Sequence, residues 1–262
     1  MPFRANPHTG QSLAFVGCYS ARKPSRPFVD NISGDIVKKT LTSMAAATLL
    51  AIAAMPASAQ SVSYNVGVVS LYKFNGLDQN AAEPKNVRPA LQGGVDFDAG
   101  NGLYLGNWNS TGKFGDNANS HIEIDIYAGY RGELTKDLTY DVGLVRFMYP
   151  GDKTWDVNEW YTRLGYGPFS VAFSRGFGDG FNKGMHRLSF GVKQPINEQI
   201  SLEAGFGLRN KINSGGATDF YLAANYDLGE GLSLSGRVSG AQTSKAGDAG
   251  KTRLVLSIVK GF

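Results

Sequence analysis

The last ten residues of the chain, 253–262, place the strongest constraint on its fold. Side chains alternate along an extended strand, so Leu254, Leu256, Ile258 and Phe262 fall on one face. An apolar strand left at an open sheet edge would pair with other chains and aggregate. In a closed barrel the last strand pairs with the first, and no edge remains. The sequence therefore predicts that this strand closes a β-barrel.

The same strand carries a candidate assembly signal. Apolar alternate positions that end in a phenylalanine, here Phe262, resemble the tag that the bacterial β-barrel assembly machinery reads, although Lys260 departs from the pattern. The resemblance implies that machinery as a partner and outer-membrane lipid as the surroundings of the folded barrel.

Residues 37–59 are predicted to be a cleaved secretory signal peptide. A short basic segment precedes an apolar run over residues 41–55, and Ala57 and Ala59 provide a small-residue cleavage site. The run is shorter than the roughly 20 residues that a membrane-spanning helix needs. The sequence therefore predicts export across the inner membrane of a Gram-negative bacterium and cleavage after Ala59.

Residues 1–36 show no periodicity and are interpreted as an unstructured leader. A translation start near Val37 explains them best, and a functional N-terminal extension is the alternative. Cys18, the single cysteine, lies in this leader. Residues 60–262 therefore have no thiol for a disulfide, a metal site or a nucleophile.

The remaining chain, residues 60–262, reads as one all-β domain. The mean hydropathy of −0.20 would suggest a water-soluble protein, but the strands of a membrane barrel are apolar on one face only. The 34 glycines and the 27 tyrosines and phenylalanines of the full sequence fit strands, tight turns and interfacial rings. Period-2 alternation predicts twelve strands, at about 62–74, 90–98, 103–109, 121–131, 138–149, 159–166, 169–175, 187–193, 200–209, 219–226, 232–238 and 253–262.

The connections between these strands alternate in length, which favours an antiparallel transmembrane barrel over a β-sandwich. Short turns follow the even-numbered strands, for example 167–168 and 227–231. Longer connections rich in Gly, Asn, Asp and Lys follow the odd ones, for example 75–89, 110–120 and 239–250. Outer-membrane barrels have short periplasmic turns and longer external loops. Aromatic residues beside the short turns, such as Tyr130, Tyr166 and Phe169, predict an interfacial girdle.

Several sequence blocks resemble the proteobacterial TorF family of porin-like proteins: YNVGVVS at 64–70, LQGG at 91–94, YLGNW at 104–108, IEIDIYAGY at 122–130, YDVG at 140–143, YPG at 149–151 and YGPFS at 166–170. The resemblance covers essentially all of residues 60–262, and 122–151 is its most specific part. It implies an outer-membrane barrel with a channel role. Where the family has an Asp and two Arg near the end of the first strand, this chain has Leu71, Lys73 and Asn75, all expected to face the lumen.

The polar strand faces are predicted to line the lumen, because a charge that faces lipid costs about 2–4 kcal/mol at mid-depth. The expected acidic wall consists of Asp96, Asp98, Glu123, Asp125, Asp141 and Glu159. The expected basic wall consists of Arg163, Arg187, Lys193, Arg209, Arg237 and Arg253. Glu203 is the exception on the basic side. Such opposed walls would select small polar solutes; the alternative is that the charges pair across a narrow lumen and plug it.

Other functions have weaker support in the sequence. Residues 60–262 carry twenty basic and twenty acidic residues, which does not favour nucleic-acid binding. A Ser120/His121 or His186/Ser189 pair would suit an outer-membrane hydrolase, but no motif marks a catalytic residue. Asp116, Asn117 and Asn119 miss the calcium-loop spacing. We therefore predict a non-enzymatic channel without cofactor or metal; a structural or adhesive surface barrel is the main alternative.

Overall fold

The computed structural model describes residues 60–80, 84–114, 119–180, 182–210, 217–242 and 247–262. The predicted leader, 1–36, and signal peptide, 37–59, lie outside these residues, as do Asp116 and Asn117. No helix in the described part of the chain is long and apolar enough to span a membrane.

Within the described ranges, twelve antiparallel strands form a closed barrel, which confirms the predicted fold class. The barrel strands are β1 (Ser61–Val69), β4 (Ala90–Asp98), β5 (Leu103–Phe114), β6 (Ser120–Thr135), β7 (Leu138–Met148), β8 (Val157–Tyr166), β9 (Phe169–Phe177), β10 (His186–Pro195), β11 (Ile200–Asn210), β12 (Ala217–Gly229), β13 (Leu232–Gln242) and β14 (Arg253–Gly261). Two short strands, β2 (Lys73–Phe74) and β3 (Leu77–Asp78), form a separate hairpin in the first connection. Short 3₁₀ helices cover Lys153–Trp155 and Gly247–Gly250.

The last strand closes the barrel as the sequence predicts. β14 pairs with β1 from Asn65 opposite Gly261 to Val69 opposite Ser257. Beyond the last ladder pair, the backbone N–H of Phe262 donates to the Tyr64 carbonyl at 2.9 Å, and the Tyr64 N–H donates back at 3.3 Å. Both backbone groups of Phe262 are therefore used in closure, and its ring lies exposed on the outer surface.

The outer face of the barrel is apolar. Every second residue of each barrel strand points outward, for example Val62, Val66 and Val68 on β1 and Leu254 and Leu256 on β14, and all of these are exposed. The predicted aromatic residues Tyr130, Tyr166 and Phe169 are also exposed, near the short turns. This surface has the composition of a lipid-facing belt.

The two ends of the barrel differ in the length of their connections. Five connections contain two to four residues between strand bounds, and those at the other end contain five to twenty. We name these the short-turn end and the long-loop end. Left-handed backbone conformations form the tight turns: Glu230 has φ 51° and Gly231 has φ 78° between β12 and β13. Both ends of the chain within the barrel, at Ser61 and Phe262, lie at the short-turn end.

Several predicted strand ends are wrong, and three of them are informative. The first strand ends at Val69 rather than at 74, because the chain then turns into the barrel. β5 continues to Phe114 and β13 to Gln242, where connections were predicted from 110 and 239. Small and polar residues such as Ser110 and Gly112 read as a loop in the sequence, but the buried side chain of Phe114 continues the inward face of β5.

Candidate functional site

The inward face of the barrel carries the charged residues that the sequence assigned to the lumen. The six acidic residues lie at inward positions of β4, β6, β7 and β8: Asp96, Asp98, Glu123, Asp125, Asp141 and Glu159. The six basic residues lie at inward positions of β8, β10, β11, β13 and β14: Arg163, Arg187, Lys193, Arg209, Arg237 and Arg253. Many of these charged side chains form hydrogen bonds or ion pairs with neighbouring residues, so the charges of the two sets are partly neutralised.

On the acidic side, tyrosine hydroxyls and arginines hold the carboxylates. Tyr127 donates to Asp96 at 2.6 Å, and Tyr104 donates to Asp141 at 2.5 Å. Asp141 also lies 3.8 Å from the Arg163 guanidinium. These contacts fix the carboxylates against the wall of the lumen.

A further arginine joins the acidic side near the short-turn end. Arg131 forms an ion pair with Asp98, and its guanidinium lies over the Tyr104 ring, 4.9 Å from the centroid. Arg131 was placed on the polar face of its strand by the alternation, but the sequence did not indicate that it would pair with Asp98.

On the basic side, Glu203 and Asp219 partly neutralise the cations. Glu203 lies 3.0 Å from Lys193 and 3.8 Å from Arg237. Arg187 binds Asp219 through two nitrogens, at 3.1 and 2.6 Å, and this pair is buried. Asp219 is thus a functional candidate that the sequence analysis missed; its position at the start of a predicted strand was the available signal.

Three carboxyl groups are buried in the long-loop half of the lumen. Glu123, Asp125 and Glu159 are each no more than 3% exposed. Glu123 accepts from the Tyr149 hydroxyl at 2.7 Å, and Glu159 accepts from the Asn182 amide at 3.1 Å. Each of the three carboxyls also has an oxygen without a hydrogen-bond partner among the described residues. In this half of the barrel, protein rather than water surrounds the acidic groups.

The first connection fills this half, and we name residues 70–80 the inner loop. Leu71, Tyr72, Phe74 and Leu77 are buried, most of them against inward-facing strand residues. Tyr72 packs on Trp108 with ring centroids 5.6 Å apart and on Phe114 at 6.4 Å. The inner loop therefore narrows the lumen near the long-loop end.

The inner loop also contacts the opposite side of the barrel. Gly76 has φ +73°, and a Cβ added there would lie 2.2 Å from the Gly240 carbonyl oxygen of β13. Lys73 donates to the carbonyls of Ala249 at 3.1 Å and Lys251 at 2.9 Å. Of the three residues expected to face the lumen here, Leu71 is buried and Lys73 half-buried, but none belongs to β1.

Glycines give the lumen tyrosines room to lie along the wall. Tyr127 pairs across strands with Gly106, Tyr104 with Gly129, Tyr161 with Gly143 and Tyr221 with Gly205. A Cβ at any of these glycines would lie 2.2–2.4 Å from the nearest atom of that ring. Each ring therefore occupies the space of the missing side chain instead of crossing the lumen.

The two halves of the lumen differ in their access to water. The side chains of Lys193 and Arg131, near the short-turn end, are 49% and 42% exposed although they point inward. Near the long-loop end, Arg187 and Arg253 are buried. Inward side chains are thus accessible to solvent in the short-turn half of the barrel, which we name the wet half, and packed by protein in the long-loop half.

His186 lies outside this arrangement. His186 is on the outer face, where its ring stacks on Phe173 with centroids 6.0 Å apart, whereas Ser189 points inward and donates to the Ala172 carbonyl. The Ser120 hydroxyl donates to the Ile122 carbonyl. Neither serine hydroxyl donates to the histidine that the sequence paired with it.

Comparison with solved structures places the barrel beside known porins. The KdgM porin aligns with a TM-score of 0.53 at 10% identity, over 78% of this chain and 99% of the porin. The KdgM porin in complex with disordered oligogalacturonate aligns with a TM-score of 0.52 at the same identity and coverage. At this identity the likeness concerns the fold alone.

None of the curated proteins compared with this chain matches it. Residues 53–260, however, match the model of a family described as a bacterial protein of unknown function. Because the match spans most of the sequence, this chain belongs to the Gcw_chp family.

Proposed function

We propose that this protein is an outer-membrane channel through which small hydrophilic solutes diffuse. One observation carries the proposal: inward-facing charges of a closed barrel, Lys193 and Arg131, remain accessible to water while the outer face is apolar. A closed sheet satisfies its backbone hydrogen bonds internally, so it is stable in lipid and encloses a polar path. No catalytic step is required.

The orientation and export route follow from this function. The short-turn end would face the periplasm and the long-loop end the cell exterior. Export would use the signal peptide cleaved after Ala59, and the assembly machinery would read Phe262. The sequence blocks shared with the TorF family favour the same function, and we propose that the chain is a TorF-type protein.

The charged walls would then determine which solutes pass. Acidic side chains concentrate on β4–β8 and basic ones on β8–β14, with Glu203 and Asp219 as partial counter-charges. The resulting field across the lumen would orient polar solutes, since a low-dielectric tube focuses it.

A barrel that does not conduct is the second candidate. The packing of the inner loop and the burial of Glu123, Asp125 and Glu159 favour it. In that case the external loops would carry a structural or adhesive role.

Single-channel recording in a planar bilayer separates the two candidates. The protein would be purified from membranes of cells that express the full chain. Discrete, ion-selective conductance steps are expected. A heat-modifiable, folded barrel that gives no steps would contradict the channel and favour the surface role.

A further inference from the structure

Two cations, Lys73 and Arg253, lie close together at the constriction, since both donate to the Lys251 carbonyl, and neither has a carboxylate partner among the described residues. Lys73 belongs to the inner loop, and Arg253 begins β14. Among the described residues, neither forms an ion pair. Two like charges in a partly buried site repel each other, so their proximity needs an explanation.

Neutral oxygens hold both cations. Lys73 donates to the carbonyls of Ala249 and Lys251. Arg253 donates through Nη1 to the Asp248 carbonyl at 2.7 Å, and through Nε to the Asn86 side chain at 3.3 Å. These contacts orient the two side chains but leave their charges uncompensated.

The nearest carboxylates are engaged by other groups. Asp78, opposite Lys73 in the hairpin, accepts the backbone N–H groups of Asn80 at 2.9 Å and Lys85 at 3.3 Å. The Asp248 carboxylate pairs with Lys251 at 2.9 Å. Asp78 therefore only moderates the positive potential that Lys73 and Arg253 create.

We propose that Lys73 and Arg253 form an anion-binding step at the constriction and that the channel prefers small anionic solutes, such as carboxylates and phosphates. The proposal rests on the channel function and adds its solute class. The Nη2 group of Arg253 makes no hydrogen bond with the described residues, and Lys73 uses two of its three ammonium protons. An oxygen of an incoming carboxylate or phosphate would accept hydrogen bonds from these remaining N–H groups.

The path beyond the constriction presents charge of the same sign. In each lumen ion pair of the wet half, the cationic side chain is more exposed than the carboxylate: 49% against 18% for Lys193 and Glu203, and 26% against 17% for Arg163 and Asp141. A permeating anion would therefore meet accessible cations along its route.

The test measures the reversal potential of the full-chain protein in a potassium chloride gradient. Lys73→Gln and Arg253→Gln remove the charge but keep a donor for the carbonyls, so a purely mechanical clamp would survive both changes. The matched control is Lys136→Gln, which removes a positive charge from an exposed turn at the short-turn end, away from the constriction. We expect chloride preference in the wild type, reduced about twofold to fivefold by either substitution at the constriction, and a smaller change in the control.

Other results would overturn either the anion site or the channel function. Cation preference in the wild type, or an unchanged chloride-to-potassium ratio in both constriction variants, would overturn the anion site while leaving a channel. A barrel without conductance would overturn the channel function instead.

In that case the anion site would be tested by acylating Lys73 with an amine reagent and following the adduct by mass spectrometry. If inorganic phosphate slows the acylation of Lys73 in the wild type but not in Arg253→Gln, the result supports the anion site. Equal acylation rates with and without phosphate would reject it.

Discussion

The ring of Tyr221 shows how a single large residue can point inward without crossing the lumen. The ring occupies the space beside Gly205, its cross-strand partner on β11. Because a large side chain lies along the wall there, a twelve-stranded barrel can place several tyrosines inward and still leave room for water.

We expect Gly205→Ala to lower the conductance and the stability of the barrel. The new Cβ would lie 2.2 Å from Cε1 of Tyr221, so the ring must swing into the lumen. Overpacking of this kind costs about 1–3 kcal/mol. Unitary conductance and the urea midpoint of unfolding measure the two effects.

Gly236→Ala is the matched control for that change. Gly236 lies on the outer face of β13, where a Cβ would contact Leu256 at an ordinary 3.7 Å. Equal effects of the two substitutions would show that the tyrosine–glycine pairing has no special role.

The charge of Lys73 predicts a pH dependence. Burial, and then the nearby charge of Arg253, lowers the pKa of Lys73 to about 8, although Asp78 acts in the opposite direction. This lysine is therefore mostly cationic below about pH 8 and mostly neutral above it. We expect chloride preference to fall as pH rises through about 8.

Lys73→Gln provides the control for the pH series. Reversal potentials of this variant should lose the step in the same interval, because the titrating ammonium group of Lys73 is absent. The same pH step in the variant would assign the titration to another group.

The end of the last strand makes two separate contacts, one through the backbone of Phe262 and one through its ring. The backbone of Phe262 bonds to Tyr64, and its ring lies on the outer surface beneath the Lys260 amine, 5.4 Å from the centroid. Lys260 reaches back to the Glu230 carbonyl in the neighbouring turn. A lysine at an otherwise apolar position is tolerated because its amine reaches the interface.

Deletion of Phe262 should reduce the amount of folded barrel more than Phe262→Ala does. The deletion removes both the ring and the two closing hydrogen bonds, whereas the alanine keeps the backbone. Heat-modifiable gel mobility of membrane fractions measures the folded amount. Phe177→Ala, which removes an exposed outer ring at the long-loop end, is the control. If it lowers the yield as much as Phe262→Ala does, the terminal ring is not a specific signal.

The inner loop is the element that narrows the lumen, so its removal should widen the channel. Replacing residues 71–80 with a short Gly-Ser linker takes out the buried side chains of Leu71, Tyr72, Phe74 and Leu77. We expect a several-fold increase in unitary conductance together with weaker ion selectivity. An unchanged conductance in a folded variant would place the constriction elsewhere.

The opposed acidic and basic sides of the lumen predict that changing basic residues to acidic ones alters the ion selectivity of the whole channel. We expect Lys193→Glu combined with Arg237→Glu to shift ion preference toward potassium, as measured by reversal potential. Arg187 is unsuitable for this test, because its replacement would leave Asp219 buried without its partner. Lys136→Glu, in an exposed short turn, is the control for a general charge effect. An unchanged reversal potential in the lumen variant would reject the opposed-wall proposal.

The local pattern of the sequence was enough to predict the barrel strands and their inward and outward faces, although not all of their ends. Period-2 alternation is a local property, since each residue of a strand points away from its neighbours, so β6 and β11 could be read from Ile122, Ile124 and Ile126 and from Leu202, Phe206 and Leu208. The difference in connection length then separated the two ends. The same alternation placed Glu123, Asp141, Arg187 and Arg237 at inward positions without any knowledge of their partners.

The contacts of the inward residues depend on how the barrel closes, which the sequence pattern does not reveal. Arg187 meets Asp219 across two strands, 32 positions along the chain, and no periodicity encodes that pairing. The sequence predicts residues 70–74 of the inner loop as a continuation of the first strand, because residues 71–74 remain apolar at alternate positions whether they face lipid or fold into a lumen. The alternation in the sequence indicates which side chains of a strand share a face. The closed barrel decides which distant groups share that buried space, and therefore where its constriction lies.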